Sequence, residues 1–141
     1  MIRKSEATWQ GGLRGGKGTV KLGPGHYEGP YTWASRFESG TETNPEEMIA
    51  AAHAACYSMA LSADLEKGGH TATSVHTVAE VSFERQEQGW RIIKITLVTE
   101  AKVPGIDEAA FSQFAEGAKT GCPISNALKA VPIELKATLL K

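Results

Sequence analysis

The sequence predicts an α+β fold in one domain, residues 1–141, built on antiparallel sheet and a long central helix. Three observations predict it: short aromatic stretches punctuated by glycine over the first forty residues, one long capped helical segment, and strict alternation in a later pair of segments. The coarse element order that follows is βββ–α–ββ–α–α–β, which places helices against antiparallel sheet.

In the N-terminal region "EATWQ", "GTVKL" and "YTWAS" read as strands separated by "GGLRGGKG" and "GPGHYEGP", because glycine supplies the positive φ of tight turns. The glycine run lacks the G-x-x-x-x-G-K-[ST] order of a phosphate loop, so a hairpin turn explains it better. "TNPEEMIAAAHAACYSMALSADLEKGG" then carries start and stop signals for a helix from Pro45 to Lys67. Asn44 is the N-cap, Pro45 the first helical residue and Glu47 the third, while Gly68 and Gly69 terminate. Met48, Ala52, Ala55, Met59 and Ala63 recur at helical steps, as do Ile49, Cys56 and Ala60, which predicts a helix buried around much of its circumference.

Val75, Thr77, Ala79, Val81 and Phe83 alternate on one face of a strand, and Ile93, Ile95 and Leu97 follow a turn near Gly89, giving a long hairpin. "DEAAFSQFAEGAKTG" reads as a second helix with an acidic start and a stop at Gly121. "CPISNALKA" reads as a third, short one with Pro123 in first position, and "VPIELKATLL" closes the chain as a strand.

A chain of 141 residues buries roughly two thirds of its unfolded surface, enough for one core. Its net charge of −1 and scattered Lys and Arg argue against nucleic acid as a partner. No apolar run approaches the ~18–20 residues that span a bilayer, and the N-terminus lacks a secretory h-region, so the expectation is a cytoplasmic protein with no membrane partner. In a reducing compartment Cys56 and Cys122 are expected as reduced, transiently oxidised or metal-bound thiols rather than a permanent bridge.

Cys56 sits in alanine-rich helix, where a small core hydrophobe and a reactive thiol are both consistent readings. It lies about twelve residues from the helix start, so a cation from elsewhere must stabilise any thiolate. Cys122 caps the short helix, and on local electrostatics it is the better nucleophile. His53 and Cys56, three apart on one face, also have the spacing of two zinc ligands, with His26, His70, His76, Cys122 or a carboxylate completing the shell; packing of His53 within the helical layer is the simpler reading. Arg36 precedes Glu46 and Glu47 closely enough for an ion pair, either a surface pair or one that aims the guanidinium at a third group.

The segments "SRFE", "GTETNPEEMIAAAHAACYSMALS", "VPGID" and "GCPISNALKA" resemble, in order along nearly the whole chain, the family of osmotically inducible OsmC proteins and organic hydroperoxide resistance proteins. The resemblance implies an OsmC-like fold in an intertwined homodimer with reaction sites at the subunit interface. It implies a thiol peroxidase acting on organic hydroperoxides, with no metal and no bound organic cofactor, re-reduced by a dithiol such as a lipoyl group.

Carried over by motif, Cys56 is the peroxidatic cysteine and Cys122 the resolving one, reversing the local electrostatic reading. Arg36 polarises the thiolate and Glu46 positions it, with Arg14 a less favoured substitute for Arg36. Ten helical residues separate Glu46 from Cys56 by about 15 Å. Either the helix therefore breaks early, or long side chains and the partner subunit bridge the gap. Met48, Met59, Phe37, Tyr57, Phe111 and Phe114 are candidates for an apolar wall, each of which also reads as plain core. The competing classes are an apolar-ligand-binding dimer, a metal-site protein and a redox sensor.

Overall fold

A computed structural model describes all residues, Met1–Lys141, in two compact units, 1–48 and 49–141. In the first unit β1 (Ser5–Gln10), β2 (Lys17–Leu22) and β3 (Tyr27–Tyr31) form an antiparallel sheet in sequential order. Gly18 lies opposite both Trp9 and Tyr31, whose rings close over it with centroids 5.3 Å apart. A Cβ at position 18 would collide with both rings, so this glycine is required by a close approach rather than by its φ.

The third strand differs from expectation, since residues 33–37 form helix α1 (Trp33–Phe37) and the strand precedes it. Thr32 and Ser35 make a reciprocal capping box, with Ser35 N–H donating to Thr32 Oγ1 at 3.1 Å and Thr32 N–H to Ser35 Oγ at 2.9 Å. That local bonding outweighs the β propensity of "YTW".

Helix α2 (Pro45–Lys67) has the predicted bounds. Glu47 N–H donates to the Asn44 side chain at 2.8 Å. The C-terminus ends in a Schellman arrangement in which His70 N–H donates to Leu65 O, Gly69 N–H donates to Glu66 O, and Gly69 takes φ +87°. The helix is unbroken, which removes the expectation of an early break.

Its burial corrects the sequence reading. The covered face is His53, Tyr57, Leu61 and Leu65, at strict four-residue steps, whereas Ala52, Ala55, Met59 and Ala63 are exposed. Hydrophobicity runs around the whole helix, so composition alone did not reveal which face this chain covers.

In the second unit the hairpin of β4 (Ser74–Gln86) and β5 (Gly89–Lys102) turns at Gly89, φ +110°, and carries a bulge between Ser82 and Phe83. Helices α3 (Glu108–Gly121) and α4 (Pro123–Ala127) then carry the chain back to Ile95, midway along β5, from where β6 (Ile133–Leu139) pairs with it in parallel. The purely antiparallel expectation is therefore wrong for this sheet, because a helical crossover returns a strand in the same direction where a tight hairpin would reverse it.

Strand β5 is central in the order β4-β5-β6 and contributes Ile95, Leu97 and Ala101 to the core. Tyr57, Leu61 and Leu65 of α2 meet them there, together with Phe111, Ala115 and Ala118 of α3. Tyr57 donates from its hydroxyl to Ala115 O at 3.0 Å, which satisfies the one polar atom of its buried ring. No helix is long and apolar enough to cross a membrane.

Candidate active site

Within the second unit α4 lies along α2 so that the two cysteines meet. Cys122 Sγ donates to Cys56 Sγ at 2.8 Å, both thiols being free. Closure to a disulfide bond length of ~2.05 Å thus needs sulfur movement of under about 1 Å. The two are not equivalent, for Cys122 is fully buried and Cys56 is partly exposed. Of the two residues, only Cys56 is reached by solvent.

Burial pushes the Cys56 thiol above its ordinary pKa, and the neighbouring Cys122 adds to the rise, first through the hydrogen bond the two thiols share and then because two thiols in contact cannot both ionise. A hydrogen bond from the Ile124 backbone N–H acts in the opposite direction. Ile124 is in the first turn of α4, so the helix start that sequence reasoning assigned to Cys122 serves Cys56 instead. Cys122 itself, as N-cap, makes no side-chain capping bond. The element was identified correctly and the thiol was not, because the beneficiary of a helix N-terminus is whichever sulfur the tertiary fold brings to its free amides.

One turn away from the thiols, His53 Nε2 and Ser125 Oγ form a hydrogen bond of 2.6 Å. Both residues are buried, and burial pushes the imidazole below its ordinary pKa, so the ring is neutral at pH 7. The sequence reading left Ser125 out altogether. Its only signal was its place three residues after Cys122, matching the spacing of His53 before Cys56. His70 turns its edge to Phe114, and no group of three or more His, Cys, Asp or Glu side chains converges anywhere as a metal shell would require.

The first unit holds the other predicted pair. Arg36 donates from Nη2 to Glu46 Oε1 at 2.9 Å and from Nε to Oε1 and Oε2 at 3.1 and 3.4 Å. Glu46 is buried, and the Arg36 side chain is 39% exposed, with its guanidinium also 5.3 Å from the Phe37 ring centre. Asn44 ties the helix start to α1, donating from Nδ2 to Ser35 O at 2.9 Å. The pair is thus held by caps on both of its helices. Arg14 is engaged elsewhere, 4.4 Å over the Trp33 ring.

Of the apolar-wall candidates, Tyr57 and Phe111 are core, Phe114 packs against it, Met48 and Phe37 are half-buried, and Met59 is 75% exposed.

The model of the OsmC-like protein family matches residues 38–136, a span that includes Glu46, Cys56 and Cys122 and starts just after Arg36. Peroxiredoxin OsmC of Escherichia coli K12 is 48% identical over 129 residues, covering 91% of this chain and 90% of its own. Among solved structures, an organic hydroperoxide resistance protein from Elizabethkingia anophelis, with thiocyanate bound, matches at TM-score 0.72 and 25% identity, over 99% of this chain and 96% of its own. The OsmC-like protein of Mycoplasma pneumoniae matches at TM-score 0.79 and 16% identity, over 100% and 99%, which is a likeness of fold alone.

Proposed function

The chain belongs to the OsmC family, and from that premise we propose that it is a cysteine-based peroxidase that reduces organic hydroperoxides to alcohols. The observation that carries the reading is the thiol pair: two free sulfurs 2.8 Å apart, one on a partly exposed residue and one on a buried residue. The names of the relatives, a peroxiredoxin and a hydroperoxide resistance protein, support the same chemistry.

In the cycle the Cys56 thiolate attacks the terminal peroxide oxygen and the O–O bond breaks. The alkoxide leaves and takes up a proton as the alcohol, and Cys56 becomes a sulfenic acid. The sulfur of Cys122 then attacks Cys56 Sγ, expelling water and closing the disulfide. An external dithiol, a lipoyl group being a suitable one, restores both thiols by exchange and is itself oxidised. Every electron in this scheme moves through sulfur and oxygen, so it calls on neither metal nor organic cofactor, and the reducing cytoplasm is a suitable setting.

Arg36 is the cation of this reading. Burial raises the Cys56 pKa, and a guanidinium held against the thiolate offsets that rise better than a five-residue helix start does. Glu46 orients it through the two hydrogen bonds that its Oε1 accepts from Arg36 Nε and Nη2. Whether the arginine comes from the same chain or a second copy, the two units act as one functional domain, residues 1–141.

The exposed stripe Ala52, Ala55, Met59 and Ala63 supports a homodimer, because a helix apolar on all sides is built to be covered on all sides. The test is consumption of cumene hydroperoxide and of hydrogen peroxide with excess dihydrolipoamide. Wild type is expected to turn over the organic peroxide, Cys56→Ser to be inert, and Cys122→Ser to react once without cycling. Turnover indifferent to Cys56 would refute the mechanism, and a disulfide that forms without any turnover would make the protein a redox sensor.

A further inference from the structure

Helix α4 has five residues and no side-chain cap, too short to hold its own place, since isolated helices below about 12–15 residues are marginal in water. Its position depends on what it touches. Ile124 and Leu128 pack against the core, and two polar contacts fix it to α2: Cys122 Sγ on Cys56 Sγ, and Ser125 Oγ on His53 Nε2. The cross-links pair residue 56 with 122 and residue 53 with 125, so the two segments run in opposite directions and each contributes one sulfur and one neutral polar group at a three-residue step.

The two contacts differ in what the reaction does to them. One ends on Cys56 sulfur, which gains an oxygen in the first chemical step and a covalent partner in the second. The other passes through no sulfur and can stay intact while the first changes. It is also an improbable feature on packing grounds alone. His53 is fully buried, yet its Nδ1 has no hydrogen-bond partner, so the ring carries the cost of one unsatisfied nitrogen that a leucine would not. Ser125, 4% exposed, likewise has nowhere else to place its hydroxyl. Which of the two atoms donates depends on the imidazole tautomer, and in either one the ring keeps an unpaired Nδ1.

We infer that His53, acting through Ser125, is a positioning residue that keeps α4 docked on α2, and so holds the Cys122 thiol on Cys56 throughout the oxidation of its sulfur. This rests on the peroxidase reading above for its purpose, though not for its geometry. Its chemical consequence is a choice between two fates of the Cys56 sulfenic acid. With α4 docked, Cys122 condenses with it and water leaves. With α4 loose, a second peroxide molecule oxidises it to the sulfinic acid, releasing a second alcohol, and the dithiol can no longer restore it.

The experiment compares wild type with Ser125→Ala, His53→Leu, His53→Gln and the Ser125→Ala/His53→Leu double variant in two assays. The first is closure of the Cys56–Cys122 disulfide by diamide, which accepts two electrons and two protons from any adjacent thiol pair and needs no peroxidase activity. The second is mass spectrometry of Cys56 after a fivefold excess of cumene hydroperoxide, with the pH profile of Cys56 alkylation recorded alongside.

Ser125→Ala and His53→Leu are expected to close about tenfold more slowly, one net hydrogen bond's worth, to titrate at lower pH because the cover and the Cys122 contact that raise the Cys56 pKa are loosened, and to accumulate sulfinic acid. His53→Gln, which returns an amide nitrogen near the Nε2 position, should restore closure, and the double variant should be no worse than either single one. Wild-type closure and titration in Ser125→Ala, or a His53→Gln as slow as His53→Leu, would overturn the inference. Ser125→Ala removes a single oxygen, so it carries the test if the leucine variant does not fold. Should wild type consume no organic peroxide while diamide closure still depends on the pair, the peroxidase reading fails and the positioning role stands.

Discussion

Breaking the Arg36–Glu46 pair from each side separates its structural contribution from its proposed chemical one. Glu46→Gln keeps the shape of the side chain and removes its charge, while Arg36→Met keeps much of the stem and removes the cation. Two unit charges ~4 Å apart attract by about 4 kcal/mol at an effective dielectric near 20 and by about 1 kcal/mol in bulk water. Glu46 is buried and Arg36 partly exposed, so the pair lies between these limits, and desolvation of the carboxylate takes back part of the gain.

A double-mutant cycle in urea at pH 7 should therefore give a coupling of about 1–3 kcal/mol, with Arg36→Met the more damaging single change because it strands a buried carboxylate. In peroxide kinetics Arg36→Met should shift the Cys56 reactivity profile to higher pH, with Glu46→Gln intermediate. Coupling below about 0.5 kcal/mol would refute the electrostatic reasoning, as for an ordinary surface pair. An unchanged Cys56 profile in Arg36→Met would refute the chemical role whatever the cycle shows.

Two further outcomes follow from the same geometry. Met59→Arg places a charge on the exposed stripe of α2; if each copy buries one Met59 worth about 2 kcal/mol, the homodimer should weaken by roughly three orders of magnitude, read by light scattering across concentration, and an unaltered mass would place the interface elsewhere. Burial holds the His53 pKa below the ordinary ~6.5, so as pH falls past that value the unfolded chain takes up a proton the folded chain refuses; stability rises with pH through this window and is lost below it, by at most about 1.4 kcal/mol per unit, and His53→Gln should flatten that slope in denaturation curves between pH 7 and 5. An identical slope in the variant would mean that other groups carry it.

Much of the architecture is legible in local chemistry. The bounds of α2 follow from Asn44, Pro45 and the glycines at 68 and 69, and the hairpin turn from Gly89, because caps and positive-φ positions are satisfied within a few residues of where they are encoded. The Arg36–Glu46 pair was legible for a related reason: the capped starts of α1 and α2 are close in sequence, and both charges belong to that short stretch. Helix α1 was missed because its capping box, Thr32 with Ser35, is a two-residue signal hidden in a β-prone run.

What the sequence by itself determined was the inventory: which segments are helix or strand, which groups carry nucleophilic, cationic and acidic chemistry, and through its motifs which family they belong to. The tertiary structure alone decided their relations. It set β6 parallel to β5, turned His53 rather than Met59 toward the core, and delivered the first-turn amide of α4 to Cys56 instead of to the cysteine that caps it. Capping and periodicity act over one or two helical turns. The meeting of sulfurs 66 residues apart depends on how the α3–α4 crossover packs against α2, and no local pattern records that packing.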